Sequence, residues 1–204
     1  MIRLPGLPLF AMLTALAASV PAAPLDATAA ANVAANTYAN VEQVRTRHIA
    51  LDLTVDFKKS TLSGTATLAL ERIDPALKQV VLDTQDLDIH KVETSADGEV
   101  WLSAPFKLGA SDEVLGAPLS IDLPAGATLV RVSYASKPQA SGLQWLPPAQ
   151  TLGKKQPFMF SQSEAIHARS WIPLQDTPYV RATYEAKIHA PKGLRAVIDR
   201  KSVV

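Results

Sequence analysis

The sequence predicts an all-β fold, a sandwich of short, mostly antiparallel strands, and three observations carry that prediction. Apolar residues occupy every odd position from 49 to 57, the two-residue period of a half-buried strand. Shorter apolar runs recur at spacings of about ten residues, punctuated by turn-forming Asp, Gly and Pro. No long segment carries the apolar stripe of an amphipathic helix.

The first strand is set by Ile49, Leu51, Leu53, Val55 and Phe57, with Asp52, Thr54 and Asp56 between them. Lys58, Lys59 and Ser60 make a turn, and 62–70 answers with Leu62, Ala66, Leu68 and Leu70 on one face against Ser63, Thr65 and Thr67 on the other. The pair reads as a hairpin. Further strands are predicted at 80–82, 89–92, 100–102, 119–123 and 129–134, separated by turns such as Ala96-Asp97-Gly98 and Pro124-Ala125-Gly126. A last alternation runs through Val180, Ala182, Tyr184, Ala186 and Ile188. Seven to nine strands over roughly 160 residues form one domain, antiparallel or mixed.

The ends of the chain read differently. Arg3, an apolar run at 4–18 and the small residues Ser19-Val20-Pro21-Ala22-Ala23 have the layout of a secretory signal, with cleavage expected after Ala22. The run is shorter than the roughly 20 residues a spanning helix needs and is broken by Pro5 and Pro8. The expected organisation is a signal at 1–22, a flexible leader at 23–40 and a β domain at 41–204. The protein is then periplasmic or secreted, with no membrane contact after cleavage. At 195–204 an apolar run stops without a turn or polar cap, which reads as an interruption.

The chain of 204 residues has 20 Lys+Arg against 19 Asp+Glu, a field too weak to gather nucleic acid. Its 48% hydrophobic content supports a packed core. With no cysteine, disulfides, thiol nucleophiles and Cys-type zinc sites are excluded together. His48, His90, His167 and His189 stand singly, without the i, i+4 spacing of a helical zinc site. Glycine patterns for phosphate binding are missing. Ser161, His167 and Asp176 lie in one stretch, but with no Gly-x-Ser-x-Gly elbow they read as ordinary hydrogen-bonding residues.

Function is expected at 137–178, which holds Trp145, Trp171, six prolines and the polar cluster from Ser161 to Arg169. Within it Gln162 and Glu164 sit two apart and would share a face of an extended segment.

Three stretches together resemble a known family. They are Val44-Arg-Thr-Arg-His-Ile-Ala-Leu-Asp-Leu-Thr-Val-Asp-Phe57 with Leu62-Ser-Gly-Thr-Ala-Thr-Leu68, then Gly142-Leu-Gln-Trp-Leu146, then Phe160-Ser-Gln-Ser-Glu-Ala-Ile-His-Ala-Arg169 continuing to Pro173-Leu-Gln-Asp-Thr-Pro178. They are similar to the N-terminal domain of the gluzincin aminopeptidases, the family of aminopeptidase N and leukotriene hydrolase, and most to the leukotriene-hydrolase branch. The resemblance implies a saddle-like β domain that packs on a thermolysin-like catalytic domain and lends it one loop, here Gln162-Ser163-Glu164. It implies that Glu164 binds the α-amino group of a peptide N-terminus, that Gln162 lines the pocket for the first side chain and that Ala165 packs beside it. Leukotriene hydrolase proper has Gln where this chain has Glu164, so the resemblance favours aminopeptidase work over epoxide hydrolysis. Arg169 and Asp176 match family positions and read as a structural ion pair.

The family's Gly-x-Met-Glu-Asn strand, His-Glu-x-x-His helix, third zinc ligand and catalytic Tyr would all lie beyond residue 204. The resemblance therefore implies zinc in the intact enzyme and none bound by this chain alone. Arg200-Lys-Ser-Val-Val204 does not resemble the family's continuation, which predicts a frameshift or a truncation before the catalytic domain. A different reading of the same residues is a stand-alone periplasmic β-sandwich that binds peptides or a partner without catalysis.

Overall fold

The alternation at 49–57 belongs to a longer strand, β1 (Val44–Asp56), which turns at Lys58-Lys59 into β2 (Thr61–Arg72). The computed structural model describes residues 35–198; the signal pattern at 1–22, the leader up to residue 34 and the end at 199–204 lie outside the described residues. Nine strands follow: β3 (Gln79–Thr84), β4 (Asp88–Ser95), β5 (Leu102–Ser103), β6 (Phe106–Leu108), β7 (Ala117–Asp122), β8 (Leu129–Ala135), β9 (Leu143–Leu146), β10 (Phe158–Ser161) and β11 (Thr183–His189). Three of them, β6, β9 and β10, have no counterpart in the sequence pattern. Each spans three or four residues, too few to display a period.

The large sheet has the order β11-β1-β2-β8-β4-β5, a second sheet the order β3-β7-β6, and β9 pairs with β10. Pairing is antiparallel throughout except between β1 and β11, which run parallel from His48↔Thr183 to Thr54↔His189. The fold is thus the mixed form of the expected all-β architecture. Leu53, Leu68 and Val132 of the large sheet join Val80, Leu82, Leu119 and Ile121 of the smaller one in a single core cluster, each fully removed from water. Burial of one such side chain contributes about 1.5–3 kcal/mol. At the end of β2 the Arg72 guanidinium donates to Leu77 O (2.9 Å), Leu123 O (3.1 Å) and Ala127 O (3.1 Å), joining the chain before β3 to the chain after β7.

Two details of β1 and the segment before it position the site. The β1–β2 register shifts between Thr46 and His48, and there the Thr46 N–H is donated to Gln175 Oε1 at 2.8 Å. Residues 37–40, expected to belong to a flexible leader, are part of the fold: Thr37 and Ala39 are buried, and Asn40 Oδ1 accepts the Val81 N–H at 2.9 Å. The leader composition concealed this because the contacts are made by backbone and short polar side chains, which leave no apolar period.

Gly64 in the central strand β2 shows how closely the sheet is packed. Its φ of 152° is one that L side chains rarely adopt, and a Cβ there would lie 2.0 Å from the Asp52 carbonyl oxygen. Gly64→Ala is expected to destabilise the chain by about 2–4 kcal/mol. A urea midpoint equal to that of the parent chain would contradict this.

Candidate functional site

The polar loop is hung from the β9–β10 pair. The register Ser161↔Leu143 brings Gly142 beside Gln162, whose N–H donates to Gly142 O at 2.9 Å. Beyond Ser161 the chain leaves the strand and turns, with the His167 N–H donating to Ser163 O at 2.9 Å. The segment is therefore not extended, and Gln162 and Glu164 do not share a strand face. Instead the Gln162 side chain folds back so that its Oε1 accepts the Glu164 N–H at 3.1 Å. Gln162, Glu164 and Ala165 are all exposed, and the Glu164–Ala165 peptide bond is cis.

The loop is held from below. Trp171 Nε1 donates to Ser163 Oγ at 3.2 Å, and Ser170 Oγ accepts the Gly142 N–H at 2.9 Å while donating to His167 O at 2.7 Å. Ser141 Oγ lies 2.8 Å from His167 Nδ1 and donates to Gln85 Oε1 at 3.2 Å. A Cβ on Gly142 would come within 2.5 Å of His167 O and 2.9 Å of Ser170 Oγ, so only glycine lets the loop close over β9.

The foundation is a buried charge cluster. Arg169 is wholly buried; its Nε donates to Asp176 Oδ2 (3.1 Å), Nη1 to Leu115 O (2.9 Å), and Nη2 to Asn36 O (2.8 Å) and Asp176 O (3.0 Å). The pair of Arg169 and Asp176 is the structural ion pair that the resemblance implied. The sequence reading missed a second buried acid, Asp83 on β3, whose Oδ1 lies 3.9 Å from Arg169 Nη1. Asp83 also accepts from the Thr37 hydroxyl, the Tyr38 N–H (2.8 Å) and the Asp176 N–H (2.9 Å). Burial pushes the Asp83 carboxyl above the usual carboxylate range, against the opposing pull of Thr37, Arg169 and the two backbone donors. The one signal available in sequence was an acid placed directly after the apolar run Val80-Val81-Leu82.

Ser161, His167 and Asp176 are not brought together as a triad: His167 turns to Ser141 and Asp176 to Arg169. His48 contacts Thr183 and His189 contacts Asp52, at the two ends of the β1–β11 pairing. Among the described residues no group of three or more His, Asp or Glu side chains could hold a metal ion. The described residues therefore do not fit a zinc centre.

Directly before the loop, an apolar groove of about 650 Å³ lies between the open face of β1 and β11, strand β10 and the segment 194–198. Its walls include Leu51, Phe158, Phe160, Tyr184, Ile188 and Val197, and Ser161 forms the rim next to Gln162. Phe158, Phe160, Tyr184 and Val197 are more than 40% exposed, an unusually apolar face for solvent.

These features define an all-β domain that presents one anchored polar loop beside an apolar groove. The family described as Peptidase M1 N-terminal domain matches residues 45–199, and the chain belongs to that family. Leucine aminopeptidase 2 of Sclerotinia sclerotiorum is 42% identical over an alignment of 165 positions that covers 76% of this chain and 26% of that protein. Leukotriene A-4 hydrolase of Xenopus laevis is 36% identical over 80% of this chain and 27% of its own length. Among solved structures, yeast LTA4 hydrolase in complex with bestatin superposes with a TM-score of 0.69 at 35% identity, over 76% of this chain and 24% of that one. An M1 zinc metallopeptidase from Deinococcus radiodurans, 21% identical over 74% of this chain and 33% of that one with a TM-score of 0.55, shares the fold. The chain spans about a quarter of the length of the relatives it matches first.

The buried cluster makes a direct prediction. Arg169→Met keeps most of the side-chain volume but leaves two acids without their cation, and is expected to cost about 3–5 kcal/mol of stability. Arg169→Lys should recover little of this, because one ammonium cannot replace the guanidinium fork that reaches three carbonyls and a carboxylate. Chemical denaturation checks both; a lysine variant as stable as the parent would refute the forked role.

Proposed function

We propose that this chain is the substrate-shaping N-terminal domain of an exported zinc metallo-aminopeptidase that removes N-terminal residues from peptides. The observation that carries the reading is Glu164: an acid on an ordered loop whose two ends are pinned, at Gly142 and at Arg169, while its own carboxylate stays exposed. An oxygen acceptor so presented suits a peptide ammonium, with which it makes a charge-assisted hydrogen bond. An internal peptide bond has no such cation, so chain ends are selected. In this reading Gln162 lines the pocket for the first side chain and Ala165 borders it. A second glutamate and the zinc ion come from the catalytic domain, which no residue described in this chain replaces. Zinc bound there would polarise the substrate carbonyl and activate a water.

The name of one relative, leucine aminopeptidase 2, supports the aminopeptidase class, and that of another, leukotriene A-4 hydrolase, supports a hydrolase. The signal pattern at 1–22 supports export to the periplasm or beyond. The apolar groove beside the loop is the surface on which a catalytic domain would dock, which would place Glu164 at the seam.

In a polypeptide that joins this domain to the zinc centre, Glu164→Ala is expected to lower kcat/KM for aminoacyl substrates about 10- to 100-fold, the worth of one charge-assisted hydrogen bond, mainly through KM. Unchanged KM would overturn the assignment of Glu164. The 204-residue chain by itself is expected to bind no zinc and to leave an aminoacyl chromogenic substrate intact. Metal analysis and a turnover assay check this, and zinc-dependent hydrolysis by the chain alone would refute the division of labour. Peptide affinity without zinc or turnover, in a chain that joins no catalytic domain, would favour the stand-alone binding module instead.

A further inference from the structure

Three segments meet at Arg169 and Asp83: strand β3, the return of the loop at 169–176, and residues 36–40 ahead of β1. The first two are also tied to each other by backbone, through Asp83 N–H to Leu174 O (2.7 Å) and Gln85 N–H to Arg169 O (2.9 Å). The third reaches the cluster through one buried hydroxyl and two backbone groups. Thr37 Oγ1 donates to Asp83 Oδ2 and accepts the Ala39 N–H at 3.0 Å, the Tyr38 N–H goes to Asp83 Oδ1, and Asn36 O accepts from Arg169.

We propose that Thr37 and the backbone of residues 36–40 are positioning elements for the Gln162–Glu164 loop, acting through Asp83 and Arg169. This rests on the reading of that loop as the substrate-contacting element. The argument is one of shared acceptors. The Asp83 carboxylate orients the Asp176 N–H and faces the guanidinium that fixes the far end of the loop. Two of its donors come from 36–40, so withdrawing that segment leaves a wholly buried carboxylate with too few donors. The carboxylate then turns toward Arg169 or water enters, and either movement releases the turn at 168–170. Six residues separate the pinned Gln162 from Arg169 in sequence, so a shift at one end is passed along the short span that holds Glu164. The segment ahead of β1 thus sets how sharply the loop is held, and a change there would alter substrate binding from the opposite side of the cluster.

Hydrogen exchange on the full chain tests this without reference to what Glu164 binds, so its outcome is separate from that of the activity measurements. In Thr37→Val, which keeps the shape and removes the hydroxyl, exchange of the His167 N–H and the Trp171 indole N–H is expected to rise about tenfold, the ratio carried by one lost buried hydrogen bond. Ladder amides of β1 and β2 should be unchanged, and Thr37→Ser should restore protection. Loop protons that stay protected while only 38–40 loosens would overturn the proposal, as would a rise shared equally by the ladder. The unmodified chain supplies a second measurement should the valine variant not fold. In rising sub-denaturing urea the Tyr38 and His167 N–H groups should open as one unit. Separate opening curves would overturn the coupling.

Discussion

Taking a guanidinium and two carboxylates out of water is the constraint around which the loop end of this domain is arranged. Arg169 and Asp83 are wholly buried, and Asp176 nearly so. Isolated charges in that setting would cost many kcal/mol, so every element nearby is bent to supply a partner. The loop must return at 169–176, β3 must carry its acid inward, and the segment before β1 must lie across both. An apolar core of the same volume could offer similar stability. It would not dictate where the backbone of 162–176 runs, whereas fixed donors and acceptors do.

That rigidity below has a counterpart in openness above. The hydrogen bonds of the loop are spent on its backbone and on Ser163, His167 and Ser170, whereas the Glu164 carboxylate remains exposed. A binding group on a pre-ordered support loses little conformational freedom when its ligand arrives. The apolar groove, with Ser161 among its lining residues, lies next to this polar tip.

The parts of this architecture that were legible in sequence are those written in local periodicity. The hairpin of β1 and β2 announces itself because apolar residues alternate through 49–57 and again, around Gly64, through 62–70. The pairing of β9 with β10 does not, since the two strands are short and Trp145 of β9 packs edge-on against Phe57, a residue distant in sequence. The Arg169–Asp176 pair was reached by family resemblance alone. Asp83 and Thr37 escaped because their roles depend on contacts across 46 and more residues, and nothing in the neighbourhood of a lone acid or threonine records a distant partner. Gln162 and Glu164 were expected to share one face of an extended segment. Their relative placement was not legible, since a side-chain amide capping a backbone N–H decided it.

The parallel attachment of β11 to β1 gives the domain a mechanical character. β1 begins beside the charge cluster, and β11 ends at the opposite end of the sheet, where His189 sits next to Thr54. Tension pulling the chain ahead of β1 away from the chain after β11 would slide the two strands past one another and load their seven paired positions together instead of peeling them one at a time. An edge strand with mostly exposed side chains adds little to equilibrium stability, yet in this orientation it acts as a shear joint, able to carry force between the segments it connects while the core behind it stays at rest.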